Sequence, residues 1–467
     1  MKWDEELANR LGGSSDFQRY ELGTEEKQLL FFYLDSLVAL SYIQNHLVDK
    51  LFQDQHPYPL TAVHTVDEAV QAILEGFIVI WSPSEQTAYK ATSKGLETRS
   101  IQESENESNL RGPRDGFVES LSTNLSLIRR RLPNADLHIH IREIGRQTKT
   151  KVALLYVQGI VQPEVLNEVR SRLDTIDIDQ VLDSGIVEQW IEDNLYSPFP
   201  QVQNTELPNK VLHAILEGRV AIMVDGSPFV LIVPVTFSML FQAPDDYYDR
   251  WLIGSAIRII RAVGALVALF LPALYIALIS YHPGMIPTQL ALSISATRAE
   301  VPFPSLVEAI AMEATLEMLR EAGLRLPKML SQTVGIVGGL VIGQAAVEAG
   351  IVSPVLVIVV AITAISTFLV PAYNASIALR MLRFPMMLLA GSLGLFGLIL
   401  GAMLILAHLV SLKSFGINYF SPIVPYRPKD WKDLLVRAPL PYLKERPEIL
   451  HSLNPKRMNL QKRKKGW

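Results

Sequence analysis

Residues 332–350 read QTVGIVGGLVIGQAAVEAG. As an α-helix the stretch extends about 30 Å, close to the thickness of a bilayer core. It is apolar enough to cross one, yet it carries Gln332, Gln344 and Glu348. Its glycines recur at every fourth position. With Gly339 as the reference on a helical wheel, Gly335 and Gly343 fall within about 40° of it. Such a G-xxx-G-xxx-G edge lets a second helix approach closely, because no Cβ separates the backbones. Val334, Val337, Val341, Gln344 and Glu348 lie about 140–220° away. One face is therefore made for packing, and the opposite face grades from apolar to polar to acidic. Two readings account for this. One is a packed span whose polar end reaches the interface. The other is an oligomeric pore: Val337 and Val341, with Val334 beside them, form a constriction, and Gln344 and Glu348 form rings that favour cations.

Working outward, the chain of 467 residues is 49% hydrophobic, with a mean hydropathy of +0.22. The apolar excess lies beyond residue 261. Charge divides along the same line. Residues 1–261 hold 24 basic and 37 acidic residues, residues 262–412 balance at 6 and 6, and residues 413–467 hold 13 and 4. An acidic N-terminal part argues against nucleic acid as a partner. The basic end, NPKRMNLQKRKKGW, suits anionic lipid headgroups or plain solvation. The start MKWDEELANRLGGSSDF has no apolar core of a signal peptide. The N-terminal part is therefore expected to stay in the cytoplasm.

The membrane part is expected at 251–412. Uncharged runs give spans near 262–281, 329–349, 351–371 and 385–412, with Pro272 kinking the first. Residues 303–325 are harder to place, because Glu308, Glu313, Glu317 and Glu321 interrupt an apolar helix. Glu313, Glu317 and Glu321 share one stripe and suit an acidic vestibule, with Arg320 and Arg325 offsetting part of the charge. A carboxylate at the bilayer centre costs ~3 kcal/mol or more, so this helix reads as interfacial, re-entrant or facing a wet cavity. Arg258 and Arg261 before the first span and the basic tail at 413–467 place both ends in the cytoplasm, which requires an even number of crossings. Arg380 and Arg383, read as loop residues, then fall on the wrong side.

The N-terminal part, 1–250, reads as α/β. AILEG occurs at 72–76 and again at 214–218. Each copy ends an amphipathic helix, has a glycine where a left-handed cap belongs, and is followed by two strands. This predicts two related subdomains, with their boundary in 162–205. A helix ends in Arg129, Arg130 and Arg131, which suit solvent, a helix C-terminus or an acidic neighbouring subunit.

No phosphate loop, GxSxG elbow or HExxH helix is present. The chain has no cysteine, which excludes disulfides and thiol chemistry. His138 and His140 alternate on one strand with no third ligand apparent nearby, so neither a metal nor any other cofactor is expected. Nothing points to catalysis.

Four segments carry a resemblance. GPRDGFVESLSTNLSLIRRRL at 112–132, VPFPSLVEAIAMEATLEMLREAGLRLP at 301–327, QTVGIVGGLVIGQAAVEAGIVS at 332–353 and NYFSPIVPYRP at 418–428 resemble, in order, signatures of the A subunits of bacterial spore germinant receptors, the GerA family. The resemblance spans about residue 24 to 440. It implies a multi-pass protein of the spore inner membrane acting with a transporter-like, nutrient-holding B subunit and a lipoprotein C subunit. It also implies a homo-oligomeric ring that opens an ion path, and a later-acting paralogue class fits the same motifs. A secondary transporter subunit and a pore-less receptor or scaffold are the alternative readings.

Overall fold

The computed structural model describes residues 3–24, 27–38, 60–83, 86–92, 107, 111–326 and 343–458. The N-terminal half contains two five-stranded antiparallel sheets. The first unit runs helix α1 (Trp3–Leu11), strands β1 (Phe17–Thr24), β2 (Lys27–Leu34) and β3 (Thr61–Val63), helix α2 (Val66–Leu74), then β4 (Ile78–Ser82) and β5 (Thr87–Ala91). The second runs α3 (Leu121–Arg131), β6 (Leu137–Ile144), β7 (Thr150–Val157), α4 (Pro163–Asp174), α5 (Ser184–Ile191), β8 (Gln203–Thr205), α6 (Pro208–Glu217), β9 (Val220–Val224) and β10 (Val230–Val233). The spatial orders, β1-β2-β4-β5-β3 and β6-β7-β9-β10-β8, are the same order displaced by five strands. The duplication therefore covers the whole unit, beyond the helix and two strands around AILEG.

Local chemistry sets the shared elements. Thr65 caps α2 by accepting from the Glu68 N–H, while the Glu68 carboxylate accepts from the His64 N–H. Gly76 and Gly218 follow α2 and α6 in the left-handed region (φ +89° and +110°), as the repeat predicts. β9 is buried along its whole length, since helices α6 and α4 cover the two faces of the second sheet.

The subdomain boundary is a correction. β7 hydrogen-bonds to β9, so both sides of 162–205 belong to one sheet. That stretch, with its polar residues and prolines, carries α4 and α5 between β7 and β8. The boundary falls between Ala91 and Leu121.

The C-terminal half is helical. α7 (Trp251–Ser280) is followed by α8 (Thr288–Arg298), α9 (Ser305–Arg325), α10 (Gly343–Glu348), α11 (Pro354–Thr367) and α12 (Tyr373–Ser411). Among the described residues, α7 and α12 are long and apolar enough to cross a membrane, with mean hydropathies of 2.5 and 2.4 over their most apolar windows. Pro272 lies inside α7 without ending it. α11, at 14 residues, is shorter than the expected span 351–371.

The run expected as one span at 385–412 is divided. At Gly394 the backbone leaves the helix (φ 63°, ψ −141°), a conformation that a Cβ would oppose. Beyond it the chain folds back. A Cβ on Gly401 would stand 2.4 Å from the Met386 sulfur, and one on Gly397 would overlap the Leu389 carbonyl. α12 is thus a hairpin whose tip packs on Tyr281, where the hydroxyl donates to the Gly391 carbonyl (2.6 Å). Both of its ends return to the second α/β unit: Asn374 donates to Glu188 (3.2 Å), and His408 bonds Ser197 (2.9 Å).

The tail is also more ordered than its composition suggests. β11 (Lys413–Ser414) and β12 (Ile417–Asn418) form a small hairpin, and Tyr419 is fully buried with its hydroxyl donating to the Pro200 carbonyl (2.7 Å). Ser452 donates to Ile160, and Arg446 to Leu216. The last nine residues, 459–467, lie outside the described residues.

Candidate functional site

The acidic helix α9 packs into the bundle, and its charges are answered one by one. Arg383 bonds the Glu313 carboxylate with Nη1, the Ala268 carbonyl with Nε (2.8 Å) and the Thr367 hydroxyl with Nη2 (2.9 Å). α7, α9, α11 and α12 thus converge on one guanidinium, with the Arg383 and Glu313 side chains 3% and 1% exposed. One turn on, Glu317 takes Arg320 (2.9 Å) and Arg380 (3.1 Å). One turn back, Glu308 takes Arg298 (2.9 Å) and the Ser353 N–H; Arg298 also donates to the Tyr275 hydroxyl, which is 3.0 Å from Ser353 Oγ. Carboxylates that would be costly in a bilayer are held in fixed pairs.

This corrects two readings. Arg380 and Arg383 are interior helix residues, so they do not argue against an even number of crossings. The Glu313 and Glu317 charges are neutralised within the chain and do not form a free vestibule; Glu321, paired with Arg325 at 2.8 Å, is the exposed member of the stripe.

Val334, Val337, Val341, Gly335 and Gly339 lie outside the described residues. The end of the same stretch is described, as α10. Gly343 is buried, with its Cβ position 3.6 Å from Val357. Gln344 and Glu348 are exposed and joined to each other, the amide donating to the carboxylate (2.9 Å).

The three arginines ending α3 separate. Arg129 turns inward at 1% exposure and holds Asp16 with Nε and Nη2 (2.9 and 2.8 Å). Ser14 and Ser36 donate to the same carboxylate. These bonds keep the Asp16 carboxyl below its usual range against the opposing pull of burial. This node joins the two sheet units, so Arg129 is corrected from a subunit contact to a within-chain tie. Arg131 binds Asp115 and Asn209, while Arg130 faces solvent. His140 bonds Tyr156 through Nε2 (2.8 Å) and stacks on its ring, and His138 lies against the same ring.

One cluster was not legible from spacing. Asp246 is buried between Arg258 (2.9 Å) and Arg261 (2.7 Å) of α7. Arg258 also reaches Asp433 (2.7 Å) in the tail, and Asp433 accepts from the Tyr247 hydroxyl (2.7 Å). Burial, reinforced by Asp433, pushes the Tyr247 hydroxyl well above its ordinary range. The node binds the last turn of the α/β part, the first helix of the bundle and the tail. Only the Asp246–Arg258–Arg261 part is local in sequence; Asp433 is 175 residues beyond Arg258.

The fold and these nodes define a two-unit α/β part joined to a helical bundle whose interior carboxylates are paired. The family model described as Bacillus/Clostridium GerA spore germination protein matches residues 5–449. Spore germination protein KA of Bacillus subtilis (strain 168) is 42% identical over 462 residues, covering 95% of this chain and 85% of that protein. A protein of the same strain named as the uncharacterized membrane protein YfkQ is 44% identical over 432 residues, covering 89% and 84%. A crystal structure of the N-terminal domain of the A subunit of the Bacillus megaterium spore germinant receptor GerK3 aligns at 29% identity with a TM-score of 0.37, covering 50% of this chain and 93% of that one. The chain belongs to the GerA family, the A subunits of spore germinant receptors.

Proposed function

We propose that copies of this receptor subunit assemble side by side in the spore inner membrane and line a cation path that a nutrient opens. The observation that carries the reading is the described end of the 332–350 stretch. Gly343 packs inward, while Gln344 and Glu348 stand exposed on the surface of an apolar bundle. An exposed carboxylate there is costly against lipid and favourable around water, which a ring of copies supplies. The membrane setting draws support from α7 and α12 and from the name of the relative YfkQ. The α/β part faces the cytoplasm in this reading. A transporter-like subunit holding the nutrient and a lipoprotein complete the receptor.

The test is ion flux. Val337→Ala and Val341→Ala widen the constriction, so proteoliposomes or spores carrying them leak monovalent cations without nutrient. Glu348→Gln lowers cation over anion selectivity in planar-bilayer recordings. No conductance from the purified assembly with either opening variant would overturn the pore and leave a scaffold subunit.

A further inference from the structure

We propose that the groove where α7, α9, α11 and α12 meet the second α/β unit binds the headgroup of an anionic phospholipid. The groove holds about 640 Å³; Arg261, Arg320 and Arg380 line it with Ile257, Ile260 and Phe368, and its far wall carries the Lys210–Glu107 ion pair and Asp245, so basic side chains outnumber acidic ones four to two. The inference rests on the bundle lying in a bilayer and is independent of ion conduction.

Charge points to an anion. Among the described residues, Arg320, Arg380 and Arg383 share two carboxylates, Glu313 and Glu317, which leaves one partly buried positive charge in excess. Arg258 and Arg261, by contrast, are matched by Asp246 and Asp433. Arg380 is 9% exposed, and its buried Nε has no hydrogen-bond partner among the described residues. A buried guanidinium N–H without an acceptor is costly, and a phosphate oxygen is the acceptor that its planar fork matches best.

Shape and position point to a lipid as the source. Phe368 is 75% exposed and Ile260 55%, so the groove continues onto apolar surface where an acyl chain can lie. It sits at the starts of α7 and α12, where the chain passes from the α/β part into the bundle, which is headgroup depth. Basic pockets between membrane helices on that side take anionic headgroups in this way. A free phosphate would make no use of the apolar rim.

The full chain, purified in detergent, would be mixed with phosphatidylglycerol or phosphatidylcholine and weighed by native mass spectrometry. Retention of phosphatidylglycerol is expected to exceed that of phosphatidylcholine about tenfold, the worth of one charge-assisted contact. Arg320→Gln and Arg380→Gln remove this preference, whereas Arg325→Gln, at an exposed pair, leaves it intact. Should Arg380→Gln fail to fold, Arg320→Gln and the wild-type preference still decide. Equal retention of the two lipids overturns the proposal. So does displacement of phosphatidylglycerol by millimolar inorganic phosphate, which would make the groove a free-anion site. Chemical crosslinks between copies through the groove would make it a subunit interface, and equally overturn it.

Discussion

Arg383 shows how one residue holds four helices. Its three nitrogens reach α7, α9 and α11 while its own backbone belongs to α12. Removing one partner of a buried ion pair leaves the other uncompensated, at about 3–5 kcal/mol. Arg383→Gln is expected to destabilise the detergent-solubilised chain by about that free energy, read as a fall in its thermal midpoint. The double variant Arg383→Gln/Glu313→Gln should recover part of the loss, because neither charge is then orphaned. An unchanged midpoint in the single variant would show that water, and not Arg383, satisfies Glu313. None of this pairing was legible in the sequence. Glu313 and Arg383 are 70 residues apart, Glu317 and Arg380 are 63 apart, and helical spacing relates only near neighbours.

Elements were legible where their signal is local. The AILEG copies gave helix, glycine cap and two strands correctly, because each cue lies within about one helical turn or one strand. What escaped is that β1–β2 and β6–β7 correspond to each other. β1 (FQRYELGT) carries several polar residues, whereas β6 alternates and leads into a buried β7, so the two halves share topology without shared sequence. The break in α12 was hidden for a different reason. Gly394 stands in an apolar run with Gly391, Gly397 and Gly401, and composition alone does not reveal which glycine bends. Gly394 makes the turn, and Gly397 and Gly401 allow the close approach of the two arms. Gly394→Ala strains the backbone by roughly 1–3 kcal/mol and brings a methyl within 2.9–3.1 Å of His282 and Tyr281. Gly391→Ala meets only the flexible tip of Leu306. The first variant should lower the yield of folded protein on size-exclusion chromatography and the second should not. Equal yields would show that the hairpin tip tolerates a side chain.

At the scale of the molecule, the bundle and the α/β part meet at Glu188 and Asn374. Burial first, and the Glu192 and Asp183 charges beside it, raise the Glu188 carboxyl from 4.5 to about 7, against the lowering effect of Asn374. A carboxyl raised on folding favours the protonated folded chain. Its contribution is full below about pH 4.5 and is lost as pH rises through about 7. The chain is therefore expected to lose about 2 kcal/mol of stability between pH 5 and 8 at this contact. Glu188→Gln, which stays neutral, should flatten that part of the pH–stability profile measured by thermal melting. A profile unchanged by the substitution would assign the pH dependence elsewhere. The duplicated units, finally, are not equivalent in how they are attached. Bonds from the bundle and the tail to Glu188, Ser197, Ile160 and Leu216 all land on the second unit, while the Asp16–Arg129 node ties the first unit to the second. Among the described residues, force applied to the leading unit thus reaches the helices through its neighbour, as through a lever arm borne on a fulcrum around Asp16 and Arg129, and stiffening that fulcrum would change how far a push travels without altering either end.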